Sequence, residues 1–285
     1  MVTIGHEPVH RYGFHPPGDV GGVEVTTWSA LSTRTTVELR RPHRTDFHQL
    51  LLVDKGTTTH RVDFVDHPCR PGTLLWVRPG QVQQFGANRR LGARLVLFVA
   101  EFPAPAPPLS ALIDDPLAPT RWPLDRAQRQ AVGTTLDALD AASKDQTTPT
   151  GIEIARHLLT VLLLQLAARQ PARRDDHTSV YTRLHAELER SYARTRRVED
   201  YAARLGYTPR TLTRACLATV GRTAKQVIDE RVILEAKRRL AHTDTAVETI
   251  ARQLGFTEPT NFGKFFTRRA GLSPGAFRTT THTSR

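Results

Sequence analysis

Apolar positions follow two different periods along this chain, and the change of period divides it. Between about residues 23 and 100 they come in short runs rich in β-branched and aromatic residues. These are VEVTTW from Val23, TTVELR from Thr35, FHQLLLVDKG from Phe47, TTTHRVDFV from Thr57, GTLLWVRPG from Gly72 and ARLVLFVA from Ala93. Lys55-Gly56, Arg70-Pro71-Gly72 and Arg78-Pro79-Gly80 punctuate them. Strand-length runs at roughly 8 to 12 residue spacing predict an antiparallel sandwich or barrel, whose mouth and lumen suit a small ligand. Residues 1–22 carry His, Pro and Gly without a period and read as an arm of low regularity.

The proline-rich run FPAPAPPLS from Phe102 leaves the strand region, and the apolar period then lengthens to three or four. A helix is predicted over Leu124–Ala142, with Leu124, Val132, Leu136 and Leu139 among its apolar positions. A second is predicted over Pro149–Arg169. There Ile152, Ile154, Leu158, Leu159, Leu162, Leu163 and Leu166 cover more than one face, so the helix needs contacts on several sides. Burial against the strands and the neighbouring helix satisfies that need, and so does a homodimer seam; both readings stand. Its apolar stretch, Leu158–Ala168, is short for a bilayer and is interrupted by Gln165. PARRDDH, residues 171–177, has no apolar period and reads as an interdomain linker. It separates a domain over 1–170 from one over 178–285.

Within the second domain one pattern occurs twice. VEDYAARLGYTPRTLTRACLATVG runs from Val198, and VETIARQLGFTEPTNFGKFFTRRAG from Val247. Ala202, Leu205, Gly206, Tyr207 and Thr208 meet Ala251, Leu254, Gly255, Phe256 and Thr257 at an offset of 49 residues; one extra residue then enters, and Gly221 meets Gly271. Each copy predicts a short helix, a turn at the glycine and a second helix. Gly206 accepts the left-handed conformation that ends a helix, Thr208 caps the next, and Pro209 falls in a first turn that needs no N–H. In the first copy Leu212 and Cys216 share an inner face, leaving Arg210, Thr213 and Arg214 outside. In the second, Phe262 and Phe266 are inner and Thr260, Gly263, Lys264 and Thr267 outer. A helix of about 10 to 12 Å diameter fits a major groove about 12 Å wide, so the pattern predicts paired helix-turn-helix motifs. Thr178–Tyr192 precedes them as a supporting helix with a Val180, Leu184, Leu188 stripe, and Ala224–Leu240 joins them.

Charge locates the partner. The formal net charge of the 285 residues is +12, and residues 178–285 hold 20 Lys and Arg against 10 Asp and Glu. The excess sits in the repeat domain, which favours a polyanion such as double-stranded DNA as its partner. Two cysteines, Cys69 and Cys216, lie in different predicted domains, so a disulfide framework is not expected and a reducing cytoplasm suits the chain. The N-terminus has no basic start followed by an apolar core, so no signal peptide and no membrane partner are expected.

These residues resemble the AraC/XylS family of bacterial transcription regulators. The resemblance is carried by AARLGYT from Ala202, ETIARQLGFTEPTNFGKFF from Glu248 and RRAGLSPGAFR from Arg268. In the first domain RPHRTDFHQLLLVDKG, THRVDF and RPGTLLWVRPGQVQQF resemble the family's cupin-like effector domain. The resemblance implies an α+β two-domain chain: a cupin-like antiparallel β-barrel with helices for effector binding and dimerisation, then an all-α domain with two helix-turn-helix motifs. It implies a sequence-specific regulator, an activator, acting as a homodimer with a small-molecule effector and RNA polymerase as further partners. It also implies DNA contacts from Arg210, Thr211, Thr213, Arg214, Thr260, Asn261, Gly263, Lys264 and Arg268. Gly263 has no side chain to read a base, so the second helix is expected to position phosphates more than select sequence. Metal-binding cupins cluster histidines with His-x-His spacing. Here Thr45 follows His43 by two residues and Gln83 stands at the late ligand position, so no metal and no cofactor are expected. His43, His48, His60 and Arg78 remain candidates for an organic effector. The alternatives are a cupin-type metalloenzyme with a helical appendage, against which the missing histidines count, and a non-specific architectural DNA-binding protein.

Overall fold

The computed structural model describes residues 11–12, 22–34, 39–86, 90–113, 118–169 and 176–283. Most of the predicted arm, the first four residues of the run from Thr35 and residues 171–175 of the linker lie outside them. The chain divides into two compact units, one within residues 9–170 and one within 171–285.

The described residues of the first unit form ten strands in two five-stranded sheets. The strands are β1 Arg11–Tyr12, β2 Val23–Thr27, β3 His43–Thr45, β4 His48–Lys55, β5 Thr58–Val62, β6 Val65–Cys69, β7 Thr73–Val77, β8 Val82–Gln84, β9 Gly92–Phe98 and β10 Arg121–Pro123. One sheet runs β1-β3-β8-β5-β6 and the other β10-β7-β4-β9-β2. All pairings are antiparallel except β1 with β3. Of the expected sandwich and barrel forms, the strands take the sandwich, since no ladder among the described residues joins the two sheets. Pro68 in edge strand β6 and Pro123 in edge strand β10 cannot donate to a further neighbour, which helps keep those edges open.

Strand β4 shows why its apolar run is nearly continuous: both of its faces are buried. Leu50 and Leu52 point with Trp76, Val96 and Phe98 into a core shared with the helices, while Leu51 and Val53 point with Leu75 and Leu95 into the space between the sheets. The predicted strand from Thr57 is a hairpin, β5 and β6, which turns at Asp63 and Phe64 with φ of 48° and 70°. Asp63 holds the turn by accepting from the Val82 amide and the Gln81 side chain, each at 3.0 Å. Trp28, expected to end a strand, starts α1 (Trp28–Arg34), where the Thr27 hydroxyl accepts from the Ala30 amide at 3.2 Å. The proline-rich exit contains α2 (Pro107–Ile113), which buries Leu109 and Leu112 in the helical core.

Helix α3 (Arg126–Ser143) starts at an Asp125–Gln128 capping box, and α4 (Pro149–Ala167) starts at Thr148, whose hydroxyl accepts from the Gly151 amide. Val132, Leu136 and Leu139 of α3 interlock with Leu159, Leu162, Leu163 and Leu166 of α4 over the β4 face. Helix α4 is long and apolar enough to cross a membrane by length and composition alone, but these residues make it a core helix. Its apolar circumference is only partly covered, with Ile154 50% and Val161 45% exposed.

The second unit is all helical: α5 Asp176–Ser191, α6 Val198–Leu205, α7 Pro209–Val220, α8 Ala224–His242, α9 Val247–Gln253, α10 Pro259–Ala270 and α11 Pro274–Thr283. Its second half packs around Phe256, Phe262, Phe265 and Phe266 against Val232, Ala236 and Leu240 of α8.

Candidate nucleic-acid interface and inter-sheet cluster

Each copy of the repeat folds as helix, turn and helix. Gly206 ends α6 at φ 71°, and Thr208 caps α7 by accepting from the Thr211 amide at 3.1 Å. Gly221 and Gly271 end α7 and α10 in the same left-handed region. The second copy departs at its turn. Glu258 occupies the N-cap of α10 without a side-chain bond to the helix, because the extra residue displaces Thr257 from that position.

Burial sorts the faces of the two second helices. In α7, Leu212, Ala215 and Cys216 are buried, Thr211 and Thr213 are half-buried, and Arg210 and Arg214 are exposed. In α10, Phe262, Phe265 and Phe266 are buried, Gly263 is half-buried, and Thr260, Asn261, Lys264 and Arg268 are exposed. The predicted DNA-facing residues thus lie off the packed face in both copies. A Cβ built on Gly263 would meet nothing within 4 Å, so packing does not require glycine there.

Other basic residues are engaged within the unit: Arg190 and Arg204 stay exposed while pairing with a half-buried carboxylate, and Arg196 and Arg231 turn inward. The Ser191 hydroxyl first, then Arg190 at 2.9 Å and Arg204 at 3.1 Å, hold the Glu187 carboxyl at about 2, well below the usual carboxylate range. Arg196 lies 3.4 Å over the ring of Phe256. Arg231 pairs with Glu189 at 2.7 Å and lies over Tyr192 at 3.9 Å. The arginine excess therefore has two uses, one inside the unit and one on its surface.

In the first unit the four proposed effector residues separate into two places. His43 and His60 face the space between the sheets, where Gln49 and Gln83 join them; all four are buried. Gln49 and Gln83 exchange side-chain amide bonds of 3.0 and 3.2 Å, and His60 Nε2 donates to the Gln83 Oε1 at 3.0 Å. That assignment leaves His60 Nδ1 as an acceptor, and it has no hydrogen-bond partner. Phe85 lies against both rings, stacked on His43 and edge-on to His60. Burial lowers His43 to about 4, opposed by its bond to the Arg41 carbonyl, and lowers His60 to about 3, opposed by the bond to Gln83. The cluster is uncharged at neutral pH.

His48 and Arg78 lie on the opposite side of the β4–β7 sheet. Trp76 Nε1 donates to His48 Nδ1 at 3.1 Å, His48 stacks on Phe98, and Arg78 lies 4.8 Å over the Trp76 ring. Burial first, and Arg78 second, lower His48 to about 3. His48 is a core histidine whose ring fills the helical side of the sheet. The one-residue step to Gln49 reverses the face, and sequence inspection passed over Gln49, although alternation from Leu51 and Val53 points to it. No group of three metal-binding side chains occurs among the described residues.

The chain's relationships agree with this two-part architecture. Residues 29–163 match the AraC-like ligand binding domain model, and residues 201–280 match a helix-turn-helix domain model. The HTH-type transcriptional activator RhaS of Escherichia fergusonii is 26% identical over 243 residues, covering 83% of this chain and 86% of that protein. RhaS of Citrobacter koseri is 26% identical over 242 residues with the same coverage. Among solved structures, ToxT from Vibrio cholerae O395 aligns over 90% of this chain and 96% of its own at 10% identity and a TM-score of 0.44. With a ligand-binding domain model and a helix-turn-helix model matched in this order along one chain, the protein belongs to the AraC family of DNA-binding transcription regulators.

Proposed function

We propose that the protein is a transcriptional activator whose sequence selectivity resides mainly in α7. The observation that carries this reading is the inequality of the two outer faces. Helix α7 exposes Arg210 and Arg214 beside Thr211 and Thr213, while α10 has Gly263 at the centre of the corresponding surface. Arg214 is suited to bidentate pairing with guanine O6 and N7, a contact worth about 1 to 3 kcal/mol of discrimination. Thr260, Asn261, Lys264 and Arg268 on α10 are assigned chiefly to phosphates, with Gly263 allowing close approach. Selection of preferred duplexes from a random pool, with the wild type and Arg214→Ala, tests this. The expected outcome is loss of base preference at one position, whereas equal weakening on every sequence makes Arg214 a phosphate contact.

The effector is assigned to the inter-sheet cluster of His43, Gln49, His60 and Gln83, with the unpartnered His60 Nδ1 accepting a hydrogen bond from it. A second copy of the chain is assigned to the exposed Ile154 and Val161 face of α4. RNA polymerase is assigned as the partner of an activator of the RhaS type, and the bacterial cytoplasm as the compartment that holds the DNA.

A further inference from the structure

Helix α8, which joins the two helix-turn-helix copies, hides two carboxylates from solvent: Asp229 is 1% exposed and Glu235 is 2%. Asp229 accepts from Lys225 Nζ, one turn earlier, at 2.6 Å, and its other oxygen accepts from the Arg269 guanidinium at the end of α10. The same Lys225 Nζ donates to the carbonyl of Arg196, in the segment entering α6, at 3.2 Å. Arg196 in turn lies over the Phe256 ring and donates to the Leu254 carbonyl at 3.3 Å, both in the turn of the second copy. That turn sits close to the first copy's entry segment, since a Cβ on Gly255 would stand 2.7 Å from the Ala193 carbonyl oxygen. One buried carboxylate therefore stands where the entry to the first copy, the connecting helix and the second recognition helix meet.

Apolar contact between these elements would permit sliding, whereas a carboxylate with both oxygens committed has one low-energy arrangement. Buried ionic groups are best attested in this role of fixing register. We propose that Asp229 is a positioning residue for DNA recognition: it locks α10 in phase with α7, so that the protein measures the spacing of its two subsites as well as their sequence. The proposal rests on the DNA reading given above. One inserted base pair shifts a subsite by about 3.4 Å and rotates it by roughly 35° around the duplex axis. A rigid pair of helices cannot follow that displacement, and a loosened pair can.

The test compares two duplexes, the preferred one from the random pool and the same duplex with one base pair inserted between the subsites. For the full chain, the inserted duplex is expected to bind weaker by about 30-fold or more, the scale of a lost base-pair contact or two. Asp229→Asn keeps the volume and removes the charge; its ratio should fall to about 5-fold or less. Arg269→Gln removes the α10 arm alone and leaves Lys225 on Asp229, so it carries the same comparison if Asp229→Asn does not fold. A residue that only stabilised the unit would weaken both duplexes alike. An unchanged ratio in the folded variants, or a wild type indifferent to the insertion, overturns the proposal while leaving the DNA reading intact. A wild type with no preferred duplex overturns both.

Discussion

Acidification should unfold the N-terminal sandwich long before its carboxylates titrate, because three of its histidines are buried in the neutral form. His43 is lowered to about 4, His48 to about 3 and His60 to about 3, each chiefly by burial. An unfolded histidine titrates near 6.5, so between that pH and the folded values the unfolded chain binds protons that the folded chain refuses. Stability is therefore full above about pH 6.5 and falls as pH drops through that window. Each histidine forfeits about 1.4 kcal/mol per pH unit once the unfolded form is mostly protonated. From pH 7 to pH 5 that comes to about 2 kcal/mol apiece and about 6 kcal/mol for the three, comparable with the whole stability of many domains. His67 moves in the same direction, first through its partial burial and then through Arg121.

The assay follows from where the tryptophans lie. The chain's three, Trp28, Trp76 and Trp122, are all buried in the sandwich unit, so their emission reports on that unit within the full-length protein. Urea titrations at pH 7, 6 and 5 should show the tryptophan midpoint falling steeply, with little change in slope against urea. His48→Gln should remove about one third of the pH dependence, whatever it does to stability at pH 7. A loss of less than about 2 kcal/mol between pH 7 and 5 would refute the burial argument, since a single neutral histidine supplies that much.

Two further expectations concern the surfaces. Gly263→Lys should fit without strain, since nothing lies within 4 Å of the added Cβ. If this face meets DNA, the plot of log affinity against log salt should steepen by about 0.9, one additional phosphate contact, and an unchanged slope would place residue 263 away from the duplex. Ile154→Glu with Val161→Glu puts two like charges on the exposed face of α4; if the proposed second copy docks there, sedimentation should show a wild-type dimer shifted to monomer, and an unchanged dimer would move the seam elsewhere.

What the sequence displayed most clearly was local. Gly206 and Gly221 in the left-handed region, Thr208 as a cap, and the Leu212 and Cys216 face of α7 depend on residues a few positions apart, so spacing reveals them. The connector α8 was legible as a helix, but the burial of Asp229 was not, because its partner Arg269 is 40 residues away and the charged run Asp229-Glu230-Arg231 looks like a solvated face. The hairpin at Asp63-Phe64 escaped notice for a related reason. Neither residue is the glycine or asparagine that usually marks a turn with positive φ; the conformation is held from outside, by Gln81 and Val82.

The effector residues illustrate a sharper limit, which is parity. In a strand buried on both faces, hydrophobicity no longer distinguishes inside from outside, and the choice between His48 and Gln49 as the lumen residue rests on a one-residue register. The fold resolves it through pairing: His48 opposite Phe98 faces the helices, and Gln49 opposite Val77 and Leu97 faces the other sheet. The consequence is chemical. With Gln49 and Gln83 bonded to each other and His43 and His60 held neutral, the inter-sheet space offers amides and imidazoles without a formal charge. A ligand carrying a charge would have to surrender its hydration with no counter-ion from these four residues. An effector at the proposed inter-sheet site is therefore expected to be a neutral molecule with hydrogen-bonding groups, with the open acceptor at His60 Nδ1 as its point of purchase.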